Sequence, residues 1–365
     1  MSPETTGGVS GASVPASAGT RAATASDGSR PILGRHADTV LLGPGLTVGV
    51  TASLGLLALA GQRAVAESIA FALTLLFVGP HYAATYRRAY GSAAVWRAHP
   101  LVTLVAPVGL AAAAVAAIRW PGTVGAAYFA AYVVWSGYHY SGQSLGLAML
   151  YPLRAGARLT PEEKRLIALP LYGSWLLSLL GLAGLEVESR NAAYQLTRDT
   201  FLPGRLPTVV LVVAMCAVLA SGASVIVLAR RRRRAGRPLP RVVLLIVATQ
   251  LLWFCGGLWH PFFNVVLVPI FHGAQYLALT GWHQTRGRAA HVFALYAAVV
   301  LLLGLAVNPG LFALGRAVGG SGPIVAAAVL SFVNLHHFLM DGRIWRLREQ
   351  RVAASFVTAP GGGAT

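Results

Sequence analysis

The 365-residue chain is 56% hydrophobic and only 11% charged, with a mean hydropathy of +0.63, far more apolar than a soluble domain. Its formal charge of +18 is carried almost wholly by arginine, Lys164 being the only lysine, and these residues lie between the apolar runs. That pattern fits membrane topology and excludes a phosphate-tracking nucleic-acid surface. Both cysteines, Cys216 and Cys255, fall inside apolar segments, so no disulfide framework is expected.

In chain order, residues 1–38 read as a disordered cytoplasmic tail rich in Ser, Thr, Gly, Ala and Pro. About ten segments then approach the ~20 apolar residues that a bilayer requires. They are Val40–Ala60, Ala64–Tyr86, Pro100–Ile118, Thr123–Tyr151, Leu166–Leu185, Leu206–Ala229, Val242–Trp259, Phe262–Trp282, Ala289–Val307 and Gly322–Trp345. The helical domain is expected to cover residues 39–350, with a flexible tail over 351–365. Basic residues alternate between the connections: one set holds only Arg63, Arg119, Arg190, Arg198, Arg205 and Arg316, and the other set, with both termini, holds the rest. Such alternation predicts ten helices with both ends in the cytoplasm.

Four histidines sit deep in these runs: His81, His139, His272 and His336, on the second, fourth, eighth and tenth segments. An intramembrane imidazole is costly unless paired, hydrated or coordinated. All four segments run in the same direction and carry their histidines at similar depth, so the rings could converge on one metal ion. Tyr128, Tyr132, Trp135, His139 and Gln143 form one helical stripe; His272, Gln275, Tyr276 and His283 form another. Asn334, His337 and Asp341 share a face from which His336 points about 100° away. Hydrogen-bonded packing accounts for a single membrane histidine equally well, and the aromatic stripe suits either core packing or a substrate tunnel.

Other segments have simpler readings. Thr160-Pro161-Glu162-Glu163 is a helix start. Arg230 to Arg234 is a topology anchor that meets anionic lipid. His36, His99 and His291 are interfacial, His260 is structural, and His283 is open. Glu186, Glu188 and Asp199 belong to an outer loop. Only Glu67 and Asp341 lie near the helices among the carboxylates, which excludes a carboxylate-bridged di-iron centre and an aspartate-rich magnesium site. A histidine-only mononuclear site remains.

Gly79-Pro80-His81, His139-Tyr140-Ser141-Gly142, Phe271-His272-Gly273 and His336 with Asp341 stand in the order of the four histidine-bearing stretches of the bacterial and archaeal membrane beta-carotene dioxygenases, the Brp/Blh-like family, which the chain resembles. The chain departs from that pattern at Gln143 and Ser144, where the family has an acid, and at Tyr276, where a second histidine is expected. The resemblance implies a helical bundle in the bacterial cytoplasmic (inner) membrane and an oxidoreductase of the dioxygenase kind. Its Fe(II) would be held by His81, His139, His272 and His336 or His337. Spacing to Asp341 favours His336, and the shared helical face favours His337. Tyr276 and Gln143 would stand near the oxygen site, with Asp341 supporting a ligand from outside. The expected partners are the lipid bilayer, O2 and a hydrophobic small molecule such as a carotenoid, isoprenoid or fatty-acyl chain, and no nucleic acid. Two alternatives use the same histidines: a transporter or haem-binding membrane protein, and a structural protein with interhelical hydrogen bonds.

Overall fold

A computed structural model describes residues 31–184, 192–201, 206–256, 258, 262–317, 319, 321–345 and 350–357. Every regular element among them is helical. The chain enters through α1 (Arg35–Ala37), which runs into a π-helical turn, Asp38–Leu42, and then α2 (Gly45–Leu59) and α3 (Arg63–Tyr90). After α4 (Ala93–Ala98), a second π-helical turn, Leu101–Val105, opens α5 (Ala106–Arg119), and a third, Pro121–Gly125, opens α6 (Ala126–Arg154). There follow α7 (Pro161–Gly184), α8 (Ala192–Phe201), α9 (Thr208–Arg234) and α10 (Arg241–Gly256). A fourth π-helical turn, Phe263–Leu267, leads into α11 (Val268–Thr285), then α12 (Ala290–Ala317), α13 (Gly322–Ile344) and α14 (Gln350–Val357).

All ten apolar segments are helical, but they differ in what they could span. Six helices are long and apolar enough to cross a bilayer: Arg63–Tyr90, Leu101–Arg119, Pro161–Leu182, Thr208–Arg234, Phe263–Thr285 and Gly322–Ile344. Arg35–Leu42 and Gly45–Leu59, bent by 52° at Gly43-Pro44, make a seventh if they form one broken span. Apolar helix also covers Arg241–Gly256 and, within α12, Ala290–Ala306. The 29 residues of α6 are long enough, yet they spend much of their sequence on Tyr, Trp, Ser, His and Gln. Several of those polar residues turn inward, where Ser141 and Ser144 form a closed network with Gln250 of α10. This is a multi-pass membrane protein with a polar interior.

Close packing at the centre depends on small residues. Gly79 of α3 and Gly304 of α12 touch backbone to backbone: a Cβ on Gly79 would lie 2.8 Å from the Gly304 carbonyl oxygen, and one on Gly304 would collide with Pro80. Gly273 of α11 admits the Phe77 carbonyl of α3 in the same way, at 2.7 Å from where a Cβ would stand. Small residues draw membrane helices together because lipid provides no hydrophobic drive for association. Tyr82 of α3 donates to Asn334 Oδ1 of α13 at 2.8 Å, fixing the fourth helix of this central group.

The helix start at Thr160 is a reciprocal cap: Glu163 N donates to Thr160 Oγ1, and Thr160 N donates to a Glu163 carboxylate oxygen. In the arginine run, Arg232 departs from the expected lipid-facing role. It is buried and donates to both oxygens of Glu163, at 2.8 and 2.7 Å, while Arg230, Arg231, Arg233 and Arg234 are exposed.

The predicted tail boundaries shift at both ends. Asp38 is wholly buried and accepts the Ile32 and Leu33 amides at 2.9 and 2.8 Å, so the ordered body begins before residue 39. At the other end α14 continues to Val357 and buries Phe356. Arg154 joins the two, donating to the Phe356 and Pro31 carbonyls at 2.6 and 3.1 Å. Glu186, Glu188 and His260 lie outside the described residues.

Candidate metal centre

Four helices each deliver one imidazole to the same place. His81 follows Gly79-Pro80 on α3, where the proline removes a backbone donor and the glycine lets α12 press close. His272 sits beside Gly273 on α11, and the missing side chain there brings its helix against α3. His139 of α6 and His337 of α13 complete the group. Ring centroids are 4.8 Å apart for His81–His337 and His139–His337, 5.0 Å for His139–His272, 5.2 Å for His81–His272 and 6.4 Å for His272–His337. One nitrogen from each of His81, His272 and His337 lies within 4.8 Å of the others, and the same holds for His139, His337 and an Asp341 oxygen. These groups could hold a metal ion.

The donor chemistry fits one. His81 Nδ1, His139 Nε2, His337 Nε2 and both nitrogens of His272 are buried with no hydrogen-bond partner among the described residues. Each such atom costs about 1–3 kcal/mol if left unsatisfied, so packing alone explains the cluster poorly. A metal ion takes one nitrogen from each ring, so coordination can satisfy four of these five atoms, and imidazole is a common metal ligand.

A hydrogen-bond network sets the orientation of His337. Its Nδ1 is 2.9 Å from Thr85 Oγ1, which also contacts Tyr276 Oη at 2.6 Å and Asp341 Oδ1 at 3.1 Å. Tyr276 donates to Asp341 Oδ1 at 2.8 Å and accepts from Trp345 Nε1 at 3.1 Å. The single Thr85 proton is directed at Tyr276 or Asp341, which leaves Thr85 to accept from His337 Nδ1–H. The lone pair of His337 is then on Nε2, facing the cluster.

His336, favoured by the family spacing, is not brought to this group. Its Nε2 lies 3.1 Å from the Val102 carbonyl, and its ring stacks on Tyr86. One residue along a helix turns a side chain by about 100°, so only His337 of the doublet faces inward. Gln143 is close but engaged otherwise, donating to the His272 carbonyl at 3.2 Å and to Gln275 Oε1 at 3.3 Å. His283 stands apart between Arg88 Nη1, at 3.2 Å, and Ser355 Oγ, at 3.1 Å. His36 and His291 are exposed, and His99 is half-buried.

A cavity of about 330 Å³ opens beside the cluster, with Trp135, Tyr138, His139, Gln143, Phe338, Asp341, Trp345 and Phe356 in its wall. The aromatic stripe of α6 therefore divides: Trp135, His139 and Gln143 face the cavity, whereas Tyr128 and Tyr132 pack into the core beside α5 and α13. Gly142 and Gly146 continue the cavity face toward Leu150.

Sequence reasoning missed Thr85, Trp345 and Phe356. A signal existed for the first two, because Thr85 follows His81 by four residues and Trp345 follows Asp341 by four, on shared helical faces. Phe356 lies in a segment read as tail.

The fold and site thus define a class: an all-helical, multi-pass membrane protein with a buried histidine cluster, able to hold a metal, beside an apolar cavity. No protein-family model matches the chain, and no curated protein or solved structure does either.

Proposed function

We propose that the protein is a membrane-embedded non-haem iron oxygenase, its iron held by His81, His139, His272 and His337, acting on a lipid-soluble substrate such as a carotenoid, isoprenoid or fatty-acyl chain. The observation that carries this reading is the convergence of four imidazoles, each with a buried nitrogen that lacks a hydrogen-bond partner among the described residues, beside a largely apolar cavity. Iron bound there would supply oxygen activation, which suits a histidine-rich centre. The protein's own residues do the rest. Thr85 holds the His337 tautomer, and Gln143 braces the His272 backbone. Tyr276 places a hydroxyl between Asp341 and Trp345, at the cavity wall. Trp135, Tyr138 and Phe338 offer apolar contact to a lipid-soluble guest and keep water out. Ring spacings of 4.8 to 6.4 Å suit a single ion better than a porphyrin, which is far wider.

Detergent-purified protein expressed with ample iron is expected to carry stoichiometric iron and to consume oxygen with a long-chain lipid or carotenoid. His81→Ala and His272→Ala are expected to lose both properties, whereas His36→Ala and His291→Ala keep them. Wild-type protein without metal, or His81→Ala with full occupancy, would replace this reading with the transporter or structural one.

We further propose that all ten apolar segments lie in the bacterial inner membrane with both termini cytoplasmic, as the arginine distribution implies. A cysteine placed at Ala235, the exposed residue that ends α9, should then resist a membrane-impermeant thiol reagent in intact cells and react after lysis. Labelling in intact cells would reverse the orientation.

A further inference from the structure

Resting on the reading that the cluster binds a metal, we infer that Asp341 is itself a metal ligand, forming with His139 and His337 a two-histidine, one-carboxylate face on the cavity wall. The carboxylate is divided between two tasks. Oδ1 is held by Tyr276 at 2.8 Å and Thr85 at 3.1 Å. Oδ2 faces the cluster, 3.5 Å from His337 Nε2 and 3.9 Å from His139 Nε2, both of which lack hydrogen-bond partners among the described residues.

Those separations are long for hydrogen bonds, which prefer about 2.7–3.2 Å. They suit two atoms that share an ion. Ligands each about 2.0–2.2 Å from a metal stand about 3 Å apart at right angles and about 4 Å apart when opposed.

A purely supporting carboxylate would accept the ring N–H that the metal does not use. At His337 that position belongs to Thr85, so Asp341 is released from it. Charge points the same way. A divalent ion surrounded only by neutral imidazoles keeps both charges in a low-dielectric interior, and one bound carboxylate removes half of that burden.

Position adds a functional reason. His139 and Asp341 belong to the cavity wall, whereas His81 and His272 approach from the protein side. An ion near His337, which both groups share, would thus present its remaining positions to the cavity. Two histidines and one carboxylate with open positions are the ligand set of many non-haem iron oxygenases.

The test uses full-length, detergent-purified protein labelled with ¹³C-carboxylate aspartate and loaded with Mn(II). Electron–nuclear double resonance on wild type should show a ¹³C coupling to the metal. D341N should weaken Mn(II) binding more than 100-fold and change the visible spectrum of the Co(II)-loaded form. T85V, which removes only a supporting contact, should cost about 10–100-fold and leave that spectrum nearly unchanged. Metal-loaded wild type with no ¹³C coupling would overturn the carboxylate ligand while leaving a histidine centre intact. Wild type that takes up no metal would overturn both readings. The wild-type measurement decides the matter even if D341N fails to fold.

Discussion

His337→Ala is expected to empty the metal centre, while His336→Ala, one residue away, leaves it loaded. His337 belongs to both candidate ligand groups, so its loss disrupts each of them. Removing a supporting partner already costs about 10–100-fold in metal affinity, and loss of the shared ligand should exceed that. His336 contributes a hydrogen bond to Val102 and a stack on Tyr86, together worth about 1–2 kcal/mol of stability and no metal affinity. Iron per chain by elemental analysis, read beside thermal unfolding, separates the two. Equal iron content in both variants would remove His337 from the centre.

Gly146→Phe is expected to block turnover without emptying the site. Gly146 lines the cavity two helical turns beyond His139, and a Cβ there meets nothing within 4 Å. A benzyl group therefore has room to enter the cavity and takes the space of a long apolar guest. Oxygen uptake with a lipid-soluble substrate should fall at least about tenfold, with iron content unchanged, because specificity of this size follows from a few kcal/mol of lost contact. Wild-type turnover in Gly146→Phe would mean that substrate reaches the histidines by another route.

Much of this was legible in the sequence because membrane helices announce themselves by hydropathy and because a helix repeats its face every three or four residues. Ten apolar segments were read as spans; all are mainly helical over their described residues, and six of the described helices are long and apolar enough to cross a membrane. His81, His139 and His272 were placed together from shared depth, and the structure brings them to one cluster. The doublet at 336–337 left two answers, since hydropathy cannot report rotation about a helix axis; the Val102 carbonyl of another helix shows which way each ring turns. The stripe of α6 was read from the sequence, but not how it divides between core and cavity. Its polar residues lower its hydropathy, and only tertiary contacts show which of them, such as Ser141 and Ser144, face protein. Of the residues four positions beyond each histidine, Gln143, Tyr276 and Asp341 were read as site residues and Thr85 was missed, although all four support or adjoin the cluster. The chain ends were read by composition, which does not register single anchors such as Asp38 and Phe356.

The spacing of the four imidazoles along the chain bears on how the protein is made. His81 and His139 leave the ribosome long before His272, and His337 follows later still, ahead of the cavity-lining Phe338, Asp341, Trp345 and Phe356. No nascent intermediate can hold the complete ligand set, so the early helices must enter the bilayer with their imidazoles still seeking partners. On the reading that the cluster binds a metal, capture waits until α13 has joined the helices that carry the other three histidines. A metal bound there would have to be supplied at the membrane after α13 is inserted, not loaded onto the earlier helices during translation.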